Sequence, residues 1–117
     1  MKFEIIIGKT YTADFQVVSD DGMTPEELAP TDTATFTLST AGAVNETIID
    51  AHPMTLTDAA NGKFEVSLSE AQTALLTQSV GFAEDRYPTF ATYIGLVDFT
   101  LVSGNRYATI DVFARGI

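Results

Sequence analysis

One histidine, no cysteine and a scatter of carboxylates bound the chemistry open to this sequence. His52 stands in the run Asp50-Ala51-His52-Pro53. A zinc site of the metalloprotease kind needs two or three imidazoles, so one histidine does not build it. Serine and aspartate could complete a triad by residue count, but there is no Gly-x-Ser-x-Gly elbow to present the serine. His52 therefore reads as a loop or strand-end residue. The lack of cysteine excludes a disulfide scaffold, thiolate metal ligation and a thiol nucleophile. The best metal candidate is the acidic segment with Asp20-Asp21 followed by Glu26-Glu27, since calcium takes several carboxylate and carbonyl oxygens from a flexible loop. Its spacing does not fit an EF-hand loop. Asp20-Asp21-Gly22 reads as a turn, and Glu26 and Glu27 suit the positive end of a helix dipole, with calcium as the alternative. Acid–base catalysis needs a buried acid of raised pKa. Asp14, Glu65 and Asp111 fall on faces read as solvated. Asp98 is the exception, lying inside the apolar run Gly95-Leu96-Val97-Asp98-Phe99; it reads as facing water, with a buried, hydrogen-bonded acid as the alternative. Asn61-Gly62-Lys63 lacks the rest of a phosphate-binding loop. These residues assign no catalytic group, no cofactor and no metal.

The elements that hold such residues are read from the chain as a whole. Its 117 residues suit a single domain spanning 1–117, and 45% apolar with 19% charged residues supports a core. Sixteen acids against six bases give a net charge of −10. That balance argues against a nucleic-acid partner, which needs a basic footprint, and against an anionic membrane surface. No apolar run is long enough to span a bilayer. Met1–Gly8 carries an acid in its apolar stretch and no cleavage site, so it does not read as a signal peptide.

Seventeen threonines and eight phenylalanines, with many valines and isoleucines, favour strands. Alternation puts Tyr11, Ala13, Phe15 and Val17 on one face, and likewise Ala34, Phe36 and Leu38; Phe64, Val66 and Leu68; and Ile110 and Val112. Further strands are expected at 3–7, 44–49 and 54–57, and the longest at 90–102. Gly8-Lys9, Asp20-Asp21-Gly22, Ala41-Gly42, Asn61-Gly62 and Ser103-Gly104-Asn105 mark turns, with Asn61-Gly62 a two-residue hairpin signal. Thr24-Pro25-Glu26-Glu27 predicts a capped helical turn stopped by Pro30, and Ser69-Glu70-Ala71-Gln72 a capping box opening a helix to about Thr77. The fold expected is all-β: an antiparallel immunoglobulin-like β-sandwich of about seven strands with one short helix near 69–77. A small jelly roll or barrel is the alternative. Phe15, Val17, Phe36, Leu38, Phe64, Val66, Leu68, Leu75, Val97, Phe99, Ile110 and Val112 are the predicted core.

Some apolar residues break the pattern. Ile94 and Leu96 fall opposite the face shared by Tyr93, Val97, Phe99 and Leu101. Ile6 lies opposite Ile5 and Ile7, and Val18 interrupts the polar face of its own strand. A bulge or a covering loop such as 43–53 would explain them locally. A sheet face packed on a partner protein would make Ile6, Val18, Ile94 and Leu96 interface residues.

The order Gly8-Lys9-Thr10, a strand, Asp20-Asp21-Gly22, Ala34-Thr35-Phe36-Thr37-Leu38, Asn61-Gly62-Lys63-Phe64-Glu65-Val66-Ser67-Leu68-Ser69, Gln72-Thr73, Leu76, a long tyrosine-containing strand, the Gly104 hairpin and a final strand resembles small immunoglobulin-like domains of tailed-phage virion proteins. It is similar, from about residue 8 to 114, to the N-terminal domain of the phage baseplate upper protein family. That family continues into further domains, whereas this sequence ends at Ile117, which suits a stand-alone role. The resemblance implies a non-enzymatic structural protein of the virion, foremost a capsid decoration (cement) protein on the particle surface. Its partner would be the major capsid or tail protein, and it would act as a homo-oligomer. The alternatives are a tail, baseplate or fibre-attachment accessory protein, and a host-adhesion module binding carbohydrate or depending on calcium. The lack of tryptophan weakens a sugar-binding role, although Tyr87, Tyr93 and Tyr107 remain.

Overall fold

The alternating segments become strands in which every second residue turns inward. A computed structural model describes residues 2–19, 22–40, 46–76 and 93–115. Within them lie β1 (Lys2–Ile6), β2 (Tyr11–Gln16), β3 (Thr33–Thr40), β4 (Thr47–Pro53), β5 (Thr55–Asp58), β6 (Lys63–Leu68), α1 (Glu70–Thr73), β7 (Tyr93–Thr100) and β8 (Arg106–Arg115). One sheet has the order β1-β8-β7-β3-β4 and the other β2-β6-β5. With β2, β6 and β5 as strands B, E and D, and β8, β7 and β3 as G, F and C, this is an immunoglobulin-like β-sandwich.

The core fills the space between the inner faces. Phe36, Leu38, Val97 and Val112 of the larger sheet and Phe64, Val66 and Leu68 of the smaller are essentially fully buried. Phe64 meets Phe99 across the gap at 5.7 Å between ring centroids, and Phe3 meets Phe15 at 5.5 Å. Gly95 leaves the room Phe36 needs, because a Cβ there would lie 2.9 Å from the Phe36 ring and 2.8 Å from Ile110. The expected core is buried, Leu75 excepted.

Several local expectations are corrected. The described residues hold eight strands, in keeping with the seven or so expected, but β1 runs parallel to β8 while the other pairs are antiparallel. The Gly8 turn carries the chain from one sheet to the other, so no hairpin obliges β1 to run antiparallel. The capping box of Ser69 and Gln72 forms, but α1 is one turn, ending at Thr73. The Leu75 and Leu76 N–H groups take tighter bonds to the carbonyls of Gln72 and Thr73, so Leu76 turns into the core and Leu75 is 59% exposed.

The capped turn expected at 24–27 is absent. The backbone there is used in sheet-like bonds, Ser19 N–H to Thr24 O and Glu26 N–H to Val17 O, while Leu28 anchors the segment in the core. The hairpin between β5 and β6 is longer than two residues. A 3₁₀ turn over Ala59–Asn61 is capped by the Asp58 side chain, and Gly62 alone of the expected pair has positive φ, +68°. The strand expected at 90–102 is β7, described from Tyr93, and it stops at Thr100. Residues 90–92, Thr77, Asp20-Asp21, Ala41-Gly42 and Val44-Asn45 lie outside the described residues.

Candidate interaction surface

The outer face of the larger sheet is built by the residues that alternate with the core. On β7 these are Ile94, Leu96 and Asp98. Ile94 lies between Ser39 of β3 and Asp111 of β8, Leu96 between Thr37 and Thr109, and Asp98 between Thr35 and Tyr107. Ile94 and Leu96 are half-buried, whereas Asp98 is exposed and Tyr107 is 75% exposed. Thr37 and Thr109 flank Leu96, and Ser39 and Asp111 flank Ile94, so only short side chains stand beside the two aliphatic residues. Residues 47–53 do not fold over them as a loop, because they form β4 at the sheet's edge.

The four expected interface residues are not all brought together. Ile6 shares this outer face, since Lys2 is in register with Asp111 and Ile6 with Arg115. It lies four residues further along, roughly 13 Å from the level of Ile94. Val18 does not join them. It follows β2 in the other sheet, bridges to Pro25, and gives its carbonyl to Arg106 Nη1 at 2.9 Å. Tyr107, which interrupts no apolar pattern, was not signalled as part of this face; its strand register with Asp98 places it there.

Of the groups considered for chemistry, His52 and Glu26 are engaged elsewhere. Asp50 and Ala51 together oppose Thr37, and this bulge, with Ala51 at φ 44°, aims His52 inward beside Phe36. Its Nε2 donates to Ser67 O at 2.8 Å, because a carbonyl only accepts, so Nδ1 accepts from Gln72 Nε2 at 3.2 Å. Gln72 Oε1 accepts from the Ser69 N–H at 2.9 Å. His52 thus ties β4 to the end of β6 and to α1, with both ring nitrogens occupied. Glu26 turns to Arg106, 2.7 Å from Nη1, in an approach poorly aligned for a hydrogen bond and so carried by charge attraction. Among the described residues no three His, Asp or Glu side chains gather as a metal site.

Two further groups escaped the sequence reading. Asp32 is buried, accepting from Ala29 N–H at 2.9 Å and Val102 N–H at 2.8 Å, and so clamps the loop before β3 to the end of β7. The only signal was an acid next to Pro30-Thr31 at a strand start. Asp58 is held below the usual carboxylate range, first by the Asn61 amide that it accepts from at 2.8 Å. No helix of the described residues is long and apolar enough to cross a membrane.

These features define an immunoglobulin-like sandwich. No family model matches the sequence, and no curated protein does. Solved structures similar to it include titin Ig tandem domains A164-A165, at 13% identity and a TM-score of 0.44 over 99% of this chain. The chain spans 44% of that titin chain's length. Another comes from photo-crosslinking analyses of multimeric cell-adhesive interactions of VGSC beta subunits, at 12% identity and a TM-score of 0.44, covering 98% of this chain and 91% of that one.

Proposed function

We propose that the protein is a non-enzymatic structural protein of a bacteriophage virion, foremost a capsid decoration protein, bound through the outer face of its larger sheet. The observation that carries the docking part of this reading is the pair Ile94 and Leu96 at the centre of that face, bordered by Thr37, Ser39, Thr109 and Asp111, with exposed Tyr107 nearby. An aromatic with a polar tip beside an aliphatic pair is the composition of an interface centre. The phage assignment rests on the sequence resemblance. With a net charge of −10, free copies repel one another, and a basic patch on the capsid or tail protein would favour attachment.

Replacing Ile94 and Leu96 together by Asp tests the reading. The double variant is expected to stay folded, with the same strand-type circular dichroism, while its incorporation into particles is lost. Normal incorporation of the folded variant would remove this face as the binding surface. Collapse of the fold would place both residues in the core. Copy number then separates the locations, with hundreds per particle for decoration and about a dozen or fewer for tail or fibre attachment.

A further inference from the structure

The smaller sheet ends in an open edge. Val17 N–H bonds Gly62 O at 2.8 Å, so the alternation of an antiparallel ladder turns the main-chain groups of Tyr11, Ala13 and Phe15 towards β6. Those of Thr12, Asp14 and Gln16 turn the other way, where no strand of the described residues pairs with them. Facing this edge, β8 is also half open. Its residues from 111 onward pair with β1, whereas among the described residues Arg106–Ile110 pair with β7 alone.

Between the two edges lies a cleft of about 320 Å³ lined by Asp14, Phe15, Gln16, Phe99, Ala108, Thr109 and Ile110. Ala108 is in register with Val97 and so faces inward, yet it is exposed, which marks where the sandwich is not closed. In the four-stranded ABED sheet of immunoglobulin domains, strand A lies beside B at this position.

We infer that this cleft takes an extended segment of another protein as an added strand on β2, apolar on its inner side and basic on its outer side. The main-chain groups of Thr12, Asp14 and Gln16 supply the ladder. Phe15, Phe99, Ala108 and Ile110 receive the inward side chains. The charge preference follows from Asp14, which stands directly opposite Glu65 on the outer face. Like charges so placed repel, and a lysine or arginine on the far side of Asp14 relieves them. This site is separate from the Ile94 and Leu96 face and does not rest on the function proposed above.

The probe is a short blocked peptide alternating valine and lysine, with an alternating valine–glutamate peptide as control, added to the full chain. The lysine peptide is expected to bind, to slow amide exchange at Thr12, Asp14 and Gln16, and to weaken as salt is added. Asp14→Pro removes an N–H that makes no bond to β6, so it should leave the fold intact and abolish binding. Asp14→Lys should reverse the preference between the two peptides by roughly tenfold. Ala108→Trp, which fills the cleft from β8, gives a second blocked form independent of β2. Absence of binding, or binding without protection of those three amides, overturns the inference. So does finding the three amides already protected in the free protein. A concentration-dependent increase in mass would then assign the cleft to a second copy, and an unchanged monomer to the chain itself.

Discussion

Asp32 shows how much one buried side chain can hold. Its two oxygens serve two backbone donors that lie 73 residues apart, Ala29 N–H in the loop before β3 and Val102 N–H just after β7. Asp32→Ala leaves both donors without their acceptor and is expected to lower stability by about 2–3 kcal/mol, read from the midpoint of urea unfolding. Asp32→Asn keeps one accepting oxygen and should lose about half as much. Tyr11 gives a test in pH. Burial pushes its phenol up from the usual 10.0 to about 12. As pH rises, the unfolded chain ionises first, so this residue's contribution to stability is intact below about 10 and is lost between about 10 and 12. Tyr11→Phe is expected to remove that part of the alkaline loss, as followed by thermal melts across that range. Neither role could be read from the sequence. An aspartate near Pro30 is an ordinary loop residue until the end of β7 is folded against it, and Tyr11 sits in an alternation that many half-exposed tyrosines share.

At the scale of elements, periodicity located the inner faces of β2, β3, β6, β7 and β8, because a half-buried strand must turn every second residue inward. Connections were less legible. The link from β5 to β6 reads as a two-residue turn from Asn61-Gly62, yet three residues of 3₁₀ helix precede the glycine. The difference has a test. A Cβ at Gly62 would lie 2.6 Å from the carbonyl oxygens of Val17 and Glu26, and its φ is +68°. Gly62→Val should therefore destabilise the protein by more than 1 kcal/mol, while Asn61→Val, at an ordinary negative φ, should cost less. Equal effects in denaturant unfolding would restore the two-residue turn. The segment at 24–27 teaches a related lesson. Its Thr-Pro-Glu-Glu pattern favours a helix start locally, but Glu26 N–H and Leu28 N–H are taken by Val17 O and Ala59 O. Those partners are distant in sequence and invisible to a local pattern. The half-buried pair Ile94 and Leu96 was legible because it breaks an alternation. The cleft was not, since open edges on two sheets become neighbours only in the folded chain.

For the whole molecule, composition bounded the class and topology decided it. Threonine-rich alternation with several turn signals points to a sandwich, and the strand order β2-β6-β5 facing β1-β8-β7-β3-β4 makes it immunoglobulin-like. The parallel pairing of β1 with β8 joins the first and last strands of the described chain. That pairing sets an order of events during synthesis. While a ribosome makes the chain from its amino end, β1 emerges long before β8 and waits for it. Until then the apolar stretch Phe3-Glu4-Ile5-Ile6-Ile7 has no partner for its edge, and this is when nascent strands are prone to stick to one another. Closure of this pair is therefore a long-range step that depends on the emergence of β8, and slow translation of the stretch between them prolongs the interval in which the edge of β1 is bare.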